Sequence, residues 1–339
     1  MRLTSISISL FLLCSFLPAR NRIKEYYRLI YAAEKALCKE DYMTACDYYT
    51  AAFKKKEPFY ADIRNAFTTS LLTKDSLRIR YFWTLTSQHP DLVYELKNNQ
   101  AALRICSPAL QRQIAGYNRT RSVTAFERLI DSVRNVDQQA RHECPNNMKA
   151  ACKERFYKTD SANIHFIASL LRTTGYSESI HGEQSLKSCF LIGWHARRWG
   201  FTELDAILYE LVKKGRIKPS LPAQLIEYKS DIDSINKRYL DNSPDLGFES
   251  TCIVIGPHLI EMNQTDSSIA AINKNRSRYF LDNVLNDINK NTLILKNPLF
   301  NGKAGDFNLN LFNQNMAEEE FKQFLNSLTQ MGAVKKCWF

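Results

Sequence analysis

Glycine is scarce in this sequence, with 11 residues in 339. Tyrosine and phenylalanine number 16 and 19, a balance that favours helices with aromatic packing over glycine-rich turns. The motifs of the common enzyme classes are missing. There is no Gly-x-Ser-x-Gly elbow, no phosphate-binding loop and no His-Glu-x-x-His helix. Histidines number six, and no helix carries paired carboxylates, so nothing announces a reaction. Beyond residue 17 no run is apolar enough to cross a bilayer. A basic block is missing too. The net charge is +11, yet the densest basic stretches are short, at Lys54–Lys56 and Ala196–Arg198. No stacking or groove-reading module accompanies that charge, so a nucleic-acid partner is not expected. The excess fits an anionic partner or a basic solvated surface.

What is present starts with apolar content. Hydrophobic residues make up 45% of the chain, enough for a packed core, and the length suits two or three domains. The first residues, MRLTSISISLFLLCSFLPARN, read as a signal peptide over 1–19. Arg2 supplies the positive end, Ile6 to Leu17 the apolar run, and Ala19 the small residue before cleavage. An uncleaved anchor or a buried strand fits the same run. Lipid attachment at Cys14 is disfavoured by Leu12 and Leu13, where small residues are usual. An exported chain, periplasmic or on the cell surface, follows, with no other membrane span.

Cysteines number nine. Without Cys14 they are even in number, which permits disulfides in an exported chain while leaving the pairing open. The stretch CPNNMKAAC places Cys144 and Cys152 at the ends of a polar loop. A disulfide there contributes about 2–3 kcal/mol; two free thiols are the alternative. His142, Cys144, Cys152 and His165 are all metal-ligand types, but their spacing matches no familiar zinc pattern, and an exported location favours cystine. No metal and no cofactor is expected.

Residues 22–90 read as paired helices. LIYAAEKALCKEDYMTACDYYTAAFKKKEP fits one tetratricopeptide repeat, with Leu29, Ala32, Ala33 and Ala36 on the first helix and Ala45, Tyr49 and Ala52 on the second. Pro58 closes the unit. A second unit, from about Tyr60 to Pro90, matches weakly through Ile79 and Trp83. Such surfaces hold peptides or partner proteins. Tyr42, Tyr48, Tyr49 and Lys54–Lys56 would line an edge for an acidic partner, unless the tyrosines pack and the lysines are merely solvated.

Residues 91–245 read as a further helical domain. Val123, Phe126, Ile130 and Val133 make an apolar stripe of helical period, and its next member is Asp137. Asp160 is placed to cap a helix with Ile164, Ile167 and Leu171 inward and Gly175 as its stop. EQSLKSCFLIGWHARRWG reads as a central helix, apolar on most sides from Cys189 to Trp194 and carrying His195. Thr202 caps another, closed by Gly215, and Pro219 and Pro222 open a helical stretch to about Leu240. Residues 246–339 read as a small α+β unit. Strands are expected in STCIVIGPHLIEM, NTLILKNPLF and DFNLNLF, with helical spacing between the first two and a closing helix in AEEEFKQFLNSLTQM. The fold class is therefore mainly α: tetratricopeptide-like helical hairpins, then a helical domain, then a small α+β C-terminal unit.

The order Asp137-Gln138-x-x-Arg141, then Asp160 with Asn163, Gly175, His195 and the basic helix end Leu211 to Gly215 resembles a domain of unknown function found in exported bacterial proteins. The likeness spans about 125–230. The front half resembles tetratricopeptide-like segments common in exported proteins of Bacteroidota. The polar Gly-containing stretch such a domain would show after about Tyr228 is not found, and the cysteine-bounded loop is an addition. The resemblance implies export and carries no assigned activity.

Two readings of the central residues stand side by side. Asp137, Arg141 and Asn163 form a satisfied polar staple between helices. Or Asp137 is a general base beside His195, in a pocket where Gln138, Arg141, Asp160 and Asn163 contact a ligand. The first suits a non-catalytic protein-interaction or cell-envelope role, the second an enzyme. The two differ in whether those residues line an open cleft.

Overall fold

The computed structural model describes residues 19–144, 149–227, 252–255, 258–262, 265–297, 299–300, 318–330 and 334–338. The described chain is mainly helical. The expected signal segment (Ala19 apart), the end of the helical stretch toward Leu240 and the strand expected in DFNLNLF fall outside the described residues.

The front of the molecule is a run of short helices: α1 (Ala19–Leu37), α2 (Tyr42–Phe53), α3 (Tyr60–Thr73), α4 (Ser76–Thr86), α5 (Pro90–Asn98), α6 (Gln100–Ile105) and α7 (Pro108–Ala115). Side-chain caps fix several starts. Asp41 accepts from the Thr44 amide, Asp75 from those of Leu77 and Arg78, and Ser107 from that of Leu110. α1 and α2 pack closely because small residues, Ala33 and Ala52 with Cys46 and Tyr49, meet in one buried cluster. That cluster reaches Ala102, Cys106, Leu110 and Ile114, so α6 and α7 close the front core beyond residue 90. α3 is central. From Tyr60 to Leu71 every residue except Arg64 is buried.

The middle bundle follows: α8 (Ala125–His142), α9 (Ala150–Thr174), α10 (Glu178–Arg197), α11 (Glu203–Lys213) and α12 (Ser220–Glu227). A reciprocal capping box between Thr124 and Glu127 starts α8. Phe126, Ile130, Ile164, Ile167, Leu186, Ile192, Leu204 and Leu208 form the bundle core. Gly193 permits the close approach of α10, since a Cβ there would sit 3.0 Å from Leu204 and from Leu225. Gly182 bends α10 with φ +68°, a conformation that side chains resist.

The helix expected to begin at Asp160 begins instead at Ala150, with Lys149 as its N-cap. No glycine or proline interrupts 150–174, and Cys152 and Phe156 are buried, so the inward stripe starts two turns earlier and Asp160 lies mid-helix. The C-terminal part contains α13 (Asp266–Arg278), α14 (Val284–Lys296) and α15 (Glu318–Gln330). It also holds strands β1 (Cys252–Ile255), β2 (His258–Met262) and β3 (Val334–Trp338), in the order β1-β2-β3, both pairs antiparallel. The strand expected in NTLILKNPLF is wrong: Asn291 to Lys296 end α14, which Asn283 caps by accepting from the Asn286 amide. The local run of leucine and isoleucine gave a strand signal, and the cap and helical packing override it.

Candidate functional site

Asp137 continues the buried stripe of α8, one turn past Val133, and is 0% exposed. Its carboxylate is surrounded by donors. Arg141, one turn on, reaches Oδ1 at 2.9 Å and donates to the Asp137 carbonyl at 3.0 Å. His195 Nδ1, from α10, lies 3.0 Å from Oδ2 and 3.2 Å from Oδ1. A carboxylate only accepts, so Nδ1 carries the proton. The exposed Gln138 amide donates to Oδ2 at 2.6 Å and covers the last side.

Arg141 bridges two helices. Its second terminal nitrogen donates to Asp160 Oδ1 at 2.7 Å, and its guanidinium lies 5.3 Å from the Phe156 ring centroid. Asp160, 1% exposed, accepts on Oδ2 from the Trp199 indole at 2.7 Å. The chain Trp199–Asp160–Arg141–Asp137–His195 thus ties α8, α9 and α10 together. Sequence reasoning brought Asp137, Gln138, Arg141, Asp160 and His195 to one place, and they meet there. It missed Trp199. The available signal was an aromatic residue beside Gly200, whose φ of +85° turns the chain after α10. Asn163 is buried on the same helix as Asp160, and its Nδ2 makes no hydrogen bond among the described residues. It is no member of the staple expected of it.

The arrangement is a closed polar core rather than a cleft. Arg141 enters from the rim, and the His195 side chain is 9% exposed. Nε2 of His195 meets no hydrogen-bond partner among the described residues. Chemically the cluster can hold an Asp–His pair in one orientation. A substrate would have to reach Nε2 through a nearly closed surface.

Cys144 and Cys152 form a disulfide, with Cα atoms 5.6 Å apart, closing the loop between α8 and α9 at the outer end of this cluster. His142 and His165 are exposed, and among the described residues no group of three side chains is arranged to hold a metal. The tyrosine–lysine edge expected on the front is divided. Tyr49 is fully buried and Tyr42 half-buried, whereas Tyr48, Lys54 and Lys55 are exposed. Lys56 lies over the rings of Phe59 and Tyr26, 3.5 and 4.4 Å from their centroids, and burial brings its ammonium down to about 8.

Open space lies elsewhere on the front. A cavity of about 270 Å³ is lined by Arg64, Thr68, Leu92, Glu95 and Asn98 of α3 and α5, among others. A second, of about 520 Å³, shares Gln100 with it and continues along α6 and α7 past Arg104 and Gln111. No helix among the described residues is long and apolar enough to cross a membrane. Compared with protein-family models, curated proteins and solved structures, the chain gives no match.

Proposed function

We propose that this is an exported, non-catalytic interaction protein of the cell envelope. In this reading its front hairpins, tetratricopeptide-like in spacing, hold a protein or peptide, and the helical bundle and the small α+β tail support them. The observation that carries the reading is the contrast in access. The carboxylates best suited to chemistry are buried and held by donors, with only the rim at Arg141, Gln138 and the edge of His195 reaching solvent, while the two adjoining cavities open along α3, α5, α6 and α7. Tyr94, 71% exposed, stands at the lip with amide side chains from Asn98 and Gln100. Mixed aromatic, amide and charged linings suit peptide capture.

The test is site-specific photocrosslinking in cells from position 94, with position 157 as an exposed aromatic control on the bundle. Discrete adducts from 94 and none from 157 support the reading. No adduct from 94, or equal adducts from both, contradicts it.

A second reading rests on the free Nε2 of His195: an acid–base pair of Asp137 and His195 acting on a small substrate admitted by local opening. A hydrolase screen decides it. An activity lost in a folded His195→Gln variant establishes the enzyme, and an unchanged profile removes it.

A further inference from the structure

From Leu96 to Phe126 the sequence contains no aspartate and no glutamate, yet it carries Lys97, Arg104, Arg112, Arg119 and Arg121. This stretch builds α6 and α7, which hold the larger cavity. Both charged residues lining that cavity are cations, Lys97 and Arg104. The amides of Gln100 and Gln111 and the apolar side chains of Leu103 and Ile114 complete most of its wall.

The cations are not used up inside the fold. Arg121 is paired with Asp91 and Glu127, but Arg104 and Arg112 are exposed and have no carboxylate partner among the described residues. They stand in the last turns of α6 and α7, where a cation offsets the helix dipole. The carbonyl ends there are already met. The Gln111 amide donates to the carbonyls of Leu103 and Cys106 at 2.9 and 3.1 Å, and the Gly116 amide to that of Arg112 at 2.9 Å. Lys97 donates to the Tyr117 carbonyl at 2.6 Å, which fixes its ammonium between α5 and the end of α7.

The smaller cavity has a different charge. Its one cation, Arg64, is held by Glu95 at 2.9 Å and by Glu183 at 3.3 Å, so that end is neutralised. Gln100 lines both cavities, so a single groove runs from a neutral end to a cationic end. Its apolar lining and concavity favour a peptide over a nucleic acid. Single strands are held by aromatic faces along a basic track. Here Phe67 is buried, and Tyr94 is the exposed ring lining the groove among the described residues.

We propose that the groove selects acidic segments: a peptide sets carboxylate side chains against Lys97 and Arg104 in the α6–α7 cavity and an apolar or amide side chain in the α3–α5 cavity beside Tyr94. This rests on the interaction reading above and adds what the groove recognises. It also moves the acidic partner away from the lysine cluster of α2, since Lys54 and Lys55 line neither cavity.

The test uses the full chain and three pools of short labelled peptides, equal in length and in apolar positions, with Glu, Gln or Lys at the remaining positions. Fluorescence polarisation at physiological salt reads binding. The Glu pool should bind saturably, the Gln pool at least about fivefold more weakly and the Lys pool not at all. Arg104→Glu should weaken the Glu pool about tenfold. Lys54→Glu changes the net charge equally and should weaken it less than about twofold, because charges outside the groove are screened. Both sites are exposed, and circular dichroism checks that both variants fold. Equal binding of the Glu and Gln pools overturns the proposal. So does an equal loss in the two variants, which would trace the attraction to overall charge. Tighter, Arg104-dependent binding of oligothymidylate overturns it in favour of a nucleic acid. If no pool binds while position 94 still gives adducts in cells, the acidic preference fails and the interaction reading stands; if neither is seen, both fail.

Discussion

Two of the buried charge systems among the described residues are built on opposite plans. In the middle bundle, Asp137, Arg141, Asp160 and His195 come from three adjacent helices and Trp199 from the turn after α10, and each carboxylate oxygen has a donor. At the front, the carboxylates of Glu34 and Asp62 are met by lysines from far along the sequence, Lys290 and Lys218; Asp62 and Lys218 are 156 positions apart. The first system stiffens one bundle. The second attaches distant parts of the chain to the front layer. Removing a partner should therefore have different consequences: loss of bundle stability in the first, opening of a joint in the second.

The largest effect should come from Asp137→Ala. It leaves Arg141 and His195 without their shared acceptor, and breaking a buried pair of this kind costs about 3–5 kcal/mol. Urea denaturation followed by circular dichroism reads the loss. If Lys290→Met destabilises the whole chain as much, the distinction between the two systems collapses. Next comes the disulfide. Its reduction frees the loop between α8 and α9 and should lower stability by about 2–3 kcal/mol, read as a shift in thermal midpoint with and without reductant. Smaller again is Trp199→Phe, which leaves an oxygen of Asp160 without its donor and should cost about 1–3 kcal/mol. A null result there would mean that water replaces the indole.

The smallest effect is a pH dependence. Burial holds the imidazoles of His89 and His181 below the ordinary histidine value. In mild acid the unfolded chain then binds more protons than the folded one, so stability falls as pH drops below about 6.5. Glu34 has the opposite sign. Burial pushes its carboxyl up despite Lys290, so its contribution is present at low pH and is lost as pH rises through its folded value. Denaturation midpoints between neutral and mildly acidic pH should show the histidine slope. Substituting both histidines by glutamine should flatten it.

How much of this was legible depended on range. The stripe Phe126–Ile130–Val133–Asp137 is a local period, and Arg141 one turn on is a local pair, so the core of the site could be read from sequence. That His195 belongs with them depends on how α10 packs against α8, which a resemblance in order suggested and periodicity alone does not give. Asp160 misled because an aspartate before an apolar stripe also satisfies the rule for a helix cap. The leucine–isoleucine run at the end of α14 misled because short apolar runs fit strand and helix alike. Lys290 gave no signal. A lysine in a polar helix is ordinarily solvated, and its acceptor, Glu34, lies at the other end of the chain.

A non-catalytic role requires that the Asp137–His195 pair line no open pocket, with only the edge of His195 reaching solvent. Covalent footprinting of the native chain with diethyl pyrocarbonate, read residue by residue by mass spectrometry, tests it directly. The exposed His142 and His165 should be modified readily and His195 only after denaturant is added. Modification of native His195 at the rate of His165 would mean an open pocket, and the interaction reading of this cluster would give way to the enzymatic one.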